Sequence, residues 1–165
     1  MAAVSAVCGI LLGSGSEVIA HKMLYGCTYS LFKNWLPRYH IKVTWVDFND
    51  LKALNNAISA QTRLLYFETP VNPTMELIDI RKVVDIAKRQ NSHRSKAHQI
   101  FTAVDNTFAT PFCQRPIEQG IDFVIEITQT IEERRFELPN VPAYILQNLA
   151  NGTTTKLGAD LEMIR

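Results

Sequence analysis

The apolar positions change period repeatedly along this chain. Ala2 to Leu12 is apolar apart from Ser5 and Gly9, and the spacing predicts a helix with Gly13 near its C-cap. Glu17 to His21 predicts a short strand. Ser30 to Tyr39, rich in aromatic positions, predicts a helix interrupted at Pro37. Ile41 to Val46 predicts a strand. Asp50 is expected to cap a helix from Leu51 to Ile58, where Leu51, Leu54 and Ile58 recur at helical spacing. Arg63 to Phe67 predicts a strand. Asp79 is expected to cap a helix reaching about Arg89, with Ile80, Val83, Val84 and Ala87 on one face. Asn91 to His98 is polar and basic, and reads as a loop. Ile100 to Val104 predicts a strand, Ile117 to Gly120 a helical turn, and Asp122 to Ile127 a further strand. Strands separated by helices imply an α/β fold with a mostly parallel sheet flanked by helices. No internal repeat is visible.

The pattern breaks after Ile127. Glu132-Glu133-Arg134-Arg135 is a dense charge cluster, and Pro139 and Pro142 interrupt the stretch beyond it. Tyr144 to Ala150 predicts one more short helix, and Asn151-Gly152-Thr153-Thr154-Thr155 a loop. Residues 1–127 therefore read as one α/β unit, and 128–165 as a divergent tail rather than a second domain.

Composition narrows the function classes. At 165 residues one domain is expected. The formal net charge of +1 provides no basic field for nucleic acid. No apolar run approaches the about 18 residues of a membrane span. The apolar start, Met1-Ala2-Ala3-Val4-Ser5-Ala6-Val7-Cys8, lacks a cationic leader and reads as a buried helix. Cys8, Cys27 and Cys113 are odd in number and widely spaced, which suggests neither a zinc site nor a disulfide framework. Reduced thiols in a cytoplasmic protein are the simplest reading. His21, His40, His93 and His98 show no ligand spacing, so no metal is expected.

Candidate chemistry concentrates at two strand-to-loop junctions, Glu68-Thr69-Pro70-Val71-Asn72-Pro73 and Asp105-Asn106-Thr107-Phe108-Ala109-Thr110-Pro111. Ligands of open α/β sheets bind beyond the carboxyl ends of the strands. A carboxylate at Asp105, ending a buried strand, is costly unless paired. It either meets a cationic ring nitrogen of a cofactor or forms a turn or cap. Asn72, held between Pro70 and Pro73, either bonds a phenolic oxygen of such a ring or makes an ordinary Asn-Pro turn. Glu68 is a buried support or a strand-end cap. Tyr25 either stacks on a flat cofactor or belongs to the core, with Gly26 permitting close backbone approach. Gly13-Ser14-Gly15-Ser16 follows a helix and precedes a strand, the reverse of a dinucleotide fingerprint.

Together these segments resemble the cysteine/methionine metabolism family of pyridoxal-phosphate enzymes, which includes cystathionine γ-lyase, methionine γ-lyase, cystathionine γ-synthase and O-acetylhomoserine sulfhydrylase. The matching pieces are Met1-Ala2-Ala3-Val4-Ser5-Ala6, Leu24-Tyr25-Gly26-Cys27-Thr28, Phe67-Glu68-Thr69-Pro70-Val71-Asn72-Pro73-Thr74, Val104-Asp105-Asn106-Thr107-Phe108-Ala109-Thr110-Pro111 and Gln114-Arg115-Pro116-Ile117-Glu118-Gln119-Gly120. They cover residues 1 to about 126. The resemblance implies part of the large cofactor domain of the fold-type-I enzymes, with pyridoxal 5'-phosphate as cofactor. It implies a lyase or transferase of transsulfuration and cysteine and methionine metabolism, acting on a sulfur-containing amino acid or an activated homoserine, within a homo-oligomer. It also implies residue roles. Asp105 pairs with the pyridinium nitrogen. Tyr25 stacks on the ring and acts as acid or base. Asn72 contacts the 3'-oxygen. Glu68 and Thr107 support this group of residues, and Met1 stands beside the phosphate site.

The chain also departs from the family. The phosphate-binding Ser-Gly of the family stands just before the position of Met1. The family's Ser-x-Thr-Lys, whose lysine makes the Schiff base, would place its Ser at Ile127 and its Lys at Thr130. Threonine has no amine. Lys156, in Thr155-Lys156-Leu157-Gly158, is the remaining candidate for that lysine. The expectation is a fragment lacking the Schiff-base lysine. The competing reading is a non-catalytic α/β domain acting only through protein association.

Overall fold

The computed structural model describes residues 1–128, 143–148 and 153–157, the last two segments as backbone. A helix α1 (Ala2–Leu11) leads into strand β1 (Glu17–His21). Then come α2 (Gly26–Ser30), continued as a π turn and a 3-10 turn to Tyr39, and strand β2 (Lys42–Val46). After α3 (Leu51–Ala57) come β3 (Thr62–Glu68), α4 (Ile80–Asn91) and β4 (Phe101–Asp105). The short α5 (Thr110–Cys113) precedes β5 (Phe123–Thr128), and two strands complete the described chain, β6 (Ala143–Asn148) and β7 (Thr153–Leu157).

The strands form one seven-stranded sheet in the order β2-β1-β3-β4-β5-β6-β7. The first five run parallel, as the alternation of strands and helices predicts. β6 and β7 are antiparallel additions. The winding direction reverses around β1: the chain moves outward to β2, then returns to place β3 on the other side of β1. Such a reversal in an open parallel sheet opens a crevice at the carboxyl ends of the two strands.

Both faces of the parallel sheet are covered. Along β3, Leu64 and Tyr66 pack against one cluster with Ala3, Val4 and Val7 of α1 and with Phe32. Leu65 and Phe67 pack against the other, with Leu54 of α3 and Val83, Val84, Ile86 and Ala87 of α4. A strand buried on both faces reads as a continuous apolar run, so Leu64-Leu65-Tyr66-Phe67 lacks alternation. Asp50 and Asp79 cap α3 and α4, each accepting the amide three residues on, from Ala53 at 2.9 Å and Lys82 at 3.2 Å. These bonds satisfy donors that the first turn leaves open.

Several expectations are corrected. The second helical stretch begins at Gly26, not Ser30, so the segment after Tyr25 turns directly into helix. α4 continues through Asn91, and Lys96–His98 forms a 3-10 turn. The junction after β4, read as loop through Thr110 and Pro111, passes there into a helical turn, Thr110–Cys113. The largest correction concerns the tail. Tyr144 to Ala150, expected as helix, contributes strand β6, and the expected loop 151–155 enters strand β7. Local propensity is weak and tertiary context overrides it. Here the context is the unpaired backbone edge of β5, which β6 pairs from Phe123 to Thr128. The charge cluster at 132–135, Pro139 and Pro142 lie outside the described residues.

Candidate functional site

The crevice beside β1 and β3 holds a cleft of about 240 Å³ lined by Tyr25, Glu68, Pro70, Asn72, Asp105, Thr107 and Phe108. Three connections deliver these residues. The β1–α2 loop brings Tyr25, the loop after β3 brings Pro70 and Asn72, and the turn after β4 brings Thr107 and Phe108. Glu68 and Asp105 end adjacent parallel strands and are directly paired in register.

Glu68 is the hub of the first two loops. One carboxylate oxygen accepts the Tyr25 amide at 2.8 Å, and the other accepts the Asn72 amide at 3.4 Å. It thus fastens the two loops by their backbones. Asp105 accepts the Thr107 amide at 3.0 Å, closing an Asx turn that aims the carboxyl into the cleft. Tyr25 stands over the opening and is 45% exposed, so a ligand can reach its ring. At Gly26 an added Cβ would meet no described protein atom within 4 Å.

Electrostatics set this site apart. Burial pushes Glu68 up to about 7, and the neighbouring Asp105 pushes the same way against the amides of Tyr25 and Asn72. Burial also raises Asp105, opposed by the hydroxyl and amide of Thr107. Glu126 on β5 is raised by burial too, then lowered by Asn106 and raised by Asp105. Among the described residues no ion pair involves any of the three. Carboxyls with raised pKa grouped at a cleft make it a candidate ligand site.

Met1 lies near this rim, its sulfur accepting the Thr28 hydroxyl at 3.8 Å. α1 therefore begins at the same end of the sheet, with no acidic residue in its first turn. Lys156 is on β7, opposite Ile145 of β6, which faces Glu126 of β5. It is three strands from Asp105, about 14 Å at ordinary strand spacing. Thr130 lies outside the described residues. No lysine lines the cleft among the described residues. No cluster of three or more potential metal ligands occurs among them, and no helix is long and apolar enough to cross a membrane. The Gly13–Ser16 turn precedes β1, at the rim opposite the cleft.

Sequence alone assigned no role to Asn106, Gln114 or Glu126. Asn106 is fully buried and donates to Glu126 at 2.7 Å and to the Gln114 carbonyl at 3.0 Å. The Gln114 side-chain amide donates to Asn106 at 2.7 Å and to the Thr69 carbonyl at 3.0 Å. Asn106 and Gln114 lie inside matching segments, and membership in a motif was their only sequence signal.

Comparison with known proteins agrees with this geometry. The family described as Cys/Met metabolism PLP-dependent enzyme matches residues 1–130. An L-methionine gamma-lyase of Pseudomonas deceptionensis is 40% identical over 125 residues, which are 76% of this chain and 30% of that protein. A cystathionine beta-lyase of Coxiella burnetii is 38% identical over 115 residues, 69% of this chain and 28% of that protein. Among solved structures, an O-acetylhomoserine sulfhydrylase of Wolinella succinogenes superposes with a TM-score of 0.71 at 30% identity, over 79% of this chain and 35% of that one. The chain thus spans about a third of the length of these relatives. With the family match running across most of its length and the parallel sheet reproduced, the chain belongs to the Cys/Met metabolism PLP-dependent enzymes.

Proposed function

We propose that this chain is part of the cofactor-binding half of a pyridoxal-phosphate enzyme of sulfur amino-acid metabolism, with residues 1–127 as the binding unit. The observation that carries the reading is the pair Glu68, buried, and Asp105, half-buried, two carboxyls with raised pKa that line one cleft and make no ion pair among the described residues. The cofactor fits this donor set, because its protonated ring nitrogen would give the Asp105 carboxylate a cationic hydrogen-bond donor inside the cleft. When bound, pyridoxal phosphate supplies an electron sink for bonds at the substrate α-carbon.

The chain's own residues have distinct tasks in this reading. Asp105 holds the proton at the ring nitrogen, and Thr107 fixes the Asp105 carboxyl. Tyr25 covers the ring and stands where a proton can be moved. Asn72 orients the ring through its 3'-oxygen. Glu68 keeps the loops of Tyr25 and Asn72 together. The first-turn amides of α1, beside Met1, favour the phosphate through the helix dipole. The substrate class is a sulfur-containing amino acid or an activated homoserine, and the reaction is C–S lysis or γ-replacement in a cytoplasmic homo-oligomer. Lys156 is the candidate for the covalent attachment; its strand position, well to the side of the cleft, favours a chain that binds the cofactor without an attachment of its own.

Titration of the purified chain with pyridoxal 5'-phosphate, then borohydride reduction and peptide mapping, tests this. Saturable binding that Asp105→Asn weakens is expected, with no stoichiometric label on Lys156. Binding unaffected by Asp105→Asn would overturn the site, and a single label on Lys156 would restore that residue as the catalytic lysine.

A further inference from the structure

We propose that Gln114 is a positioning residue for the cleft. It is the strut that sets the spacing between the wall carrying Asp105 and the wall carrying Asn72, with Asn106 and Glu126 as its anchor. This inference rests on the cofactor reading above.

The two walls are separate loops with little in common. Beyond the β3–β4 ladder that ends at Glu68 and Asp105, the one backbone bond between the two walls among the described residues is long, from the Thr69 amide to the Asp105 carbonyl at 3.4 Å. Glu68 fastens the Asn72 loop to Tyr25, not to the Asp105 turn. The shorter connection runs through Gln114. Its two amide hydrogens are shared between the walls, one to Asn106 beside Asp105 and one to the Thr69 carbonyl. The far wall is held in turn, since the Thr69 hydroxyl accepts the Ile78 amide at 3.0 Å.

The anchor is built for rigidity. Asn106 donates its side-chain amide to Glu126 and to the Gln114 carbonyl, accepts from the Gln114 side chain, and sends its backbone amide to Ile125 at 2.8 Å. Both side-chain donors are thereby used, and the orientation of the amide follows from its partners. A hydrogen-bond network whose amide donors are all engaged holds its members in one geometry. Gln114 is not among the residues lining the cleft, so any effect on a ligand must pass through the walls. Its orientation is also unambiguous. Thr69 presents a carbonyl, so the Gln114 side chain must present its NH₂ there.

Gln114→Glu keeps the shape and puts an acceptor where two acceptors wait. The probe is pyridoxamine 5'-phosphate, which occupies the same ring site without a lysine. Binding is read by fluorescence titration, and the protonation of the bound ring by its absorbance across pH. Loss of two amide hydrogen bonds is expected to weaken affinity by about tenfold or more. It should also lower the pH at which the bound ring loses its nitrogen proton, because Asp105 is no longer held against it. Gln114→Ala provides the same test should the glutamate variant fail to fold. Arg115→Ala, at an exposed neighbour paired with Glu118, should leave both readouts unchanged. Unaltered affinity and absorbance in the Gln114 variants, with wild type binding normally, would overturn the strut alone. A lower melting temperature with an unchanged ring titration would reduce Gln114 to a structural residue and also overturn it. Absence of binding by wild type would instead overturn the cofactor reading, and the strut with it.

Discussion

Two buried glutamates stand at opposite ends of the same sheet and behave in opposite ways. Glu17 opens β1 at 1% exposure, and Glu68 closes β3 at 4%. Burial pushes both carboxyls upward. At Glu17 that push is more than reversed by Lys42, Ser59, Thr44 and Thr62, which bring it down to about 2. Lys42 approaches to 2.7 Å, Thr44 to 2.6 Å and Thr62 to 2.8 Å, and the Ser59 hydroxyl also donates. At Glu68 only two backbone amides oppose burial, a second carboxyl adds to it, and the result is about 7. A buried carboxylate surrounded by hydroxyls and a cation closes a structure. One left short of positive charge in a cleft is what the proposed cofactor site would require.

The strongest way to break this contrast is to remove Glu17. Glu17→Ala leaves three hydroxyls without their acceptor, and a loss of about 3–4 kcal/mol in unfolding free energy is expected by urea denaturation. Ligand affinity of the fraction that stays folded should be unchanged. A loss below about 1 kcal/mol would show that the cluster is not structural.

Acidity sharpens the comparison next, because the two pKa shifts have opposite signs. A carboxyl with depressed pKa stabilises above its unfolded value and loses that contribution as pH falls through its folded value. The advantage of wild type over Glu17→Gln should therefore vanish between about pH 4.5 and pH 2, a change of up to about 3 kcal/mol. Glu68 has a raised pKa, so its contribution is complete below about 4.5 and is lost as pH rises through about 7. The gap between wild type and Glu68→Gln should narrow over that window. Parallel slopes for the two pairs would contradict the assignment.

Asp105→Asn is expected to weaken pyridoxamine 5'-phosphate by about 10–100-fold, a charge-assisted bond replaced by a neutral one, with little change in melting. Equal affinity would remove Asp105 from the site. The smallest effects belong to the helix caps. Asp50→Ala and Asp79→Ala should each cost about 1 kcal/mol of stability and leave binding untouched. A change in affinity in either would mean that the site is less isolated from the helical layer than the hydrogen bonds indicate.

The sequence located the two junctions because they combine prolines, acids and amides directly after apolar runs. It could not divide the labour within them. Glu68 and Asp105 read alike as strand-end acids, yet one fastens loops and the other aims at the cleft. That distinction depends on which amides lie across the crevice, and Tyr25 is 43 residues away from Glu68. Asn106 and Gln114 were invisible as a pair because their bonds close only when α5 turns the chain back. Glu126 carried no assignment within its strand, and its role depends on the contact with Asn106, 20 residues away.

By itself the sequence determined the parallel α/β core, since the alternation of buried runs with capped amphipathic helices leaves few other ways to cover both faces of β3. It also determined the two aspartate caps, where the decisive bond spans three residues. Tertiary structure alone decided the fate of 143–148 and 153–157, whose local preferences favoured helix and loop but whose backbone meets the open edge of β5 and extends the sheet. It alone decided the opposite pKa shifts of Glu17 and Glu68 as well. A pKa is set by whatever the fold brings within a few ångströms, and nothing in the residue or its neighbours along the chain specifies that.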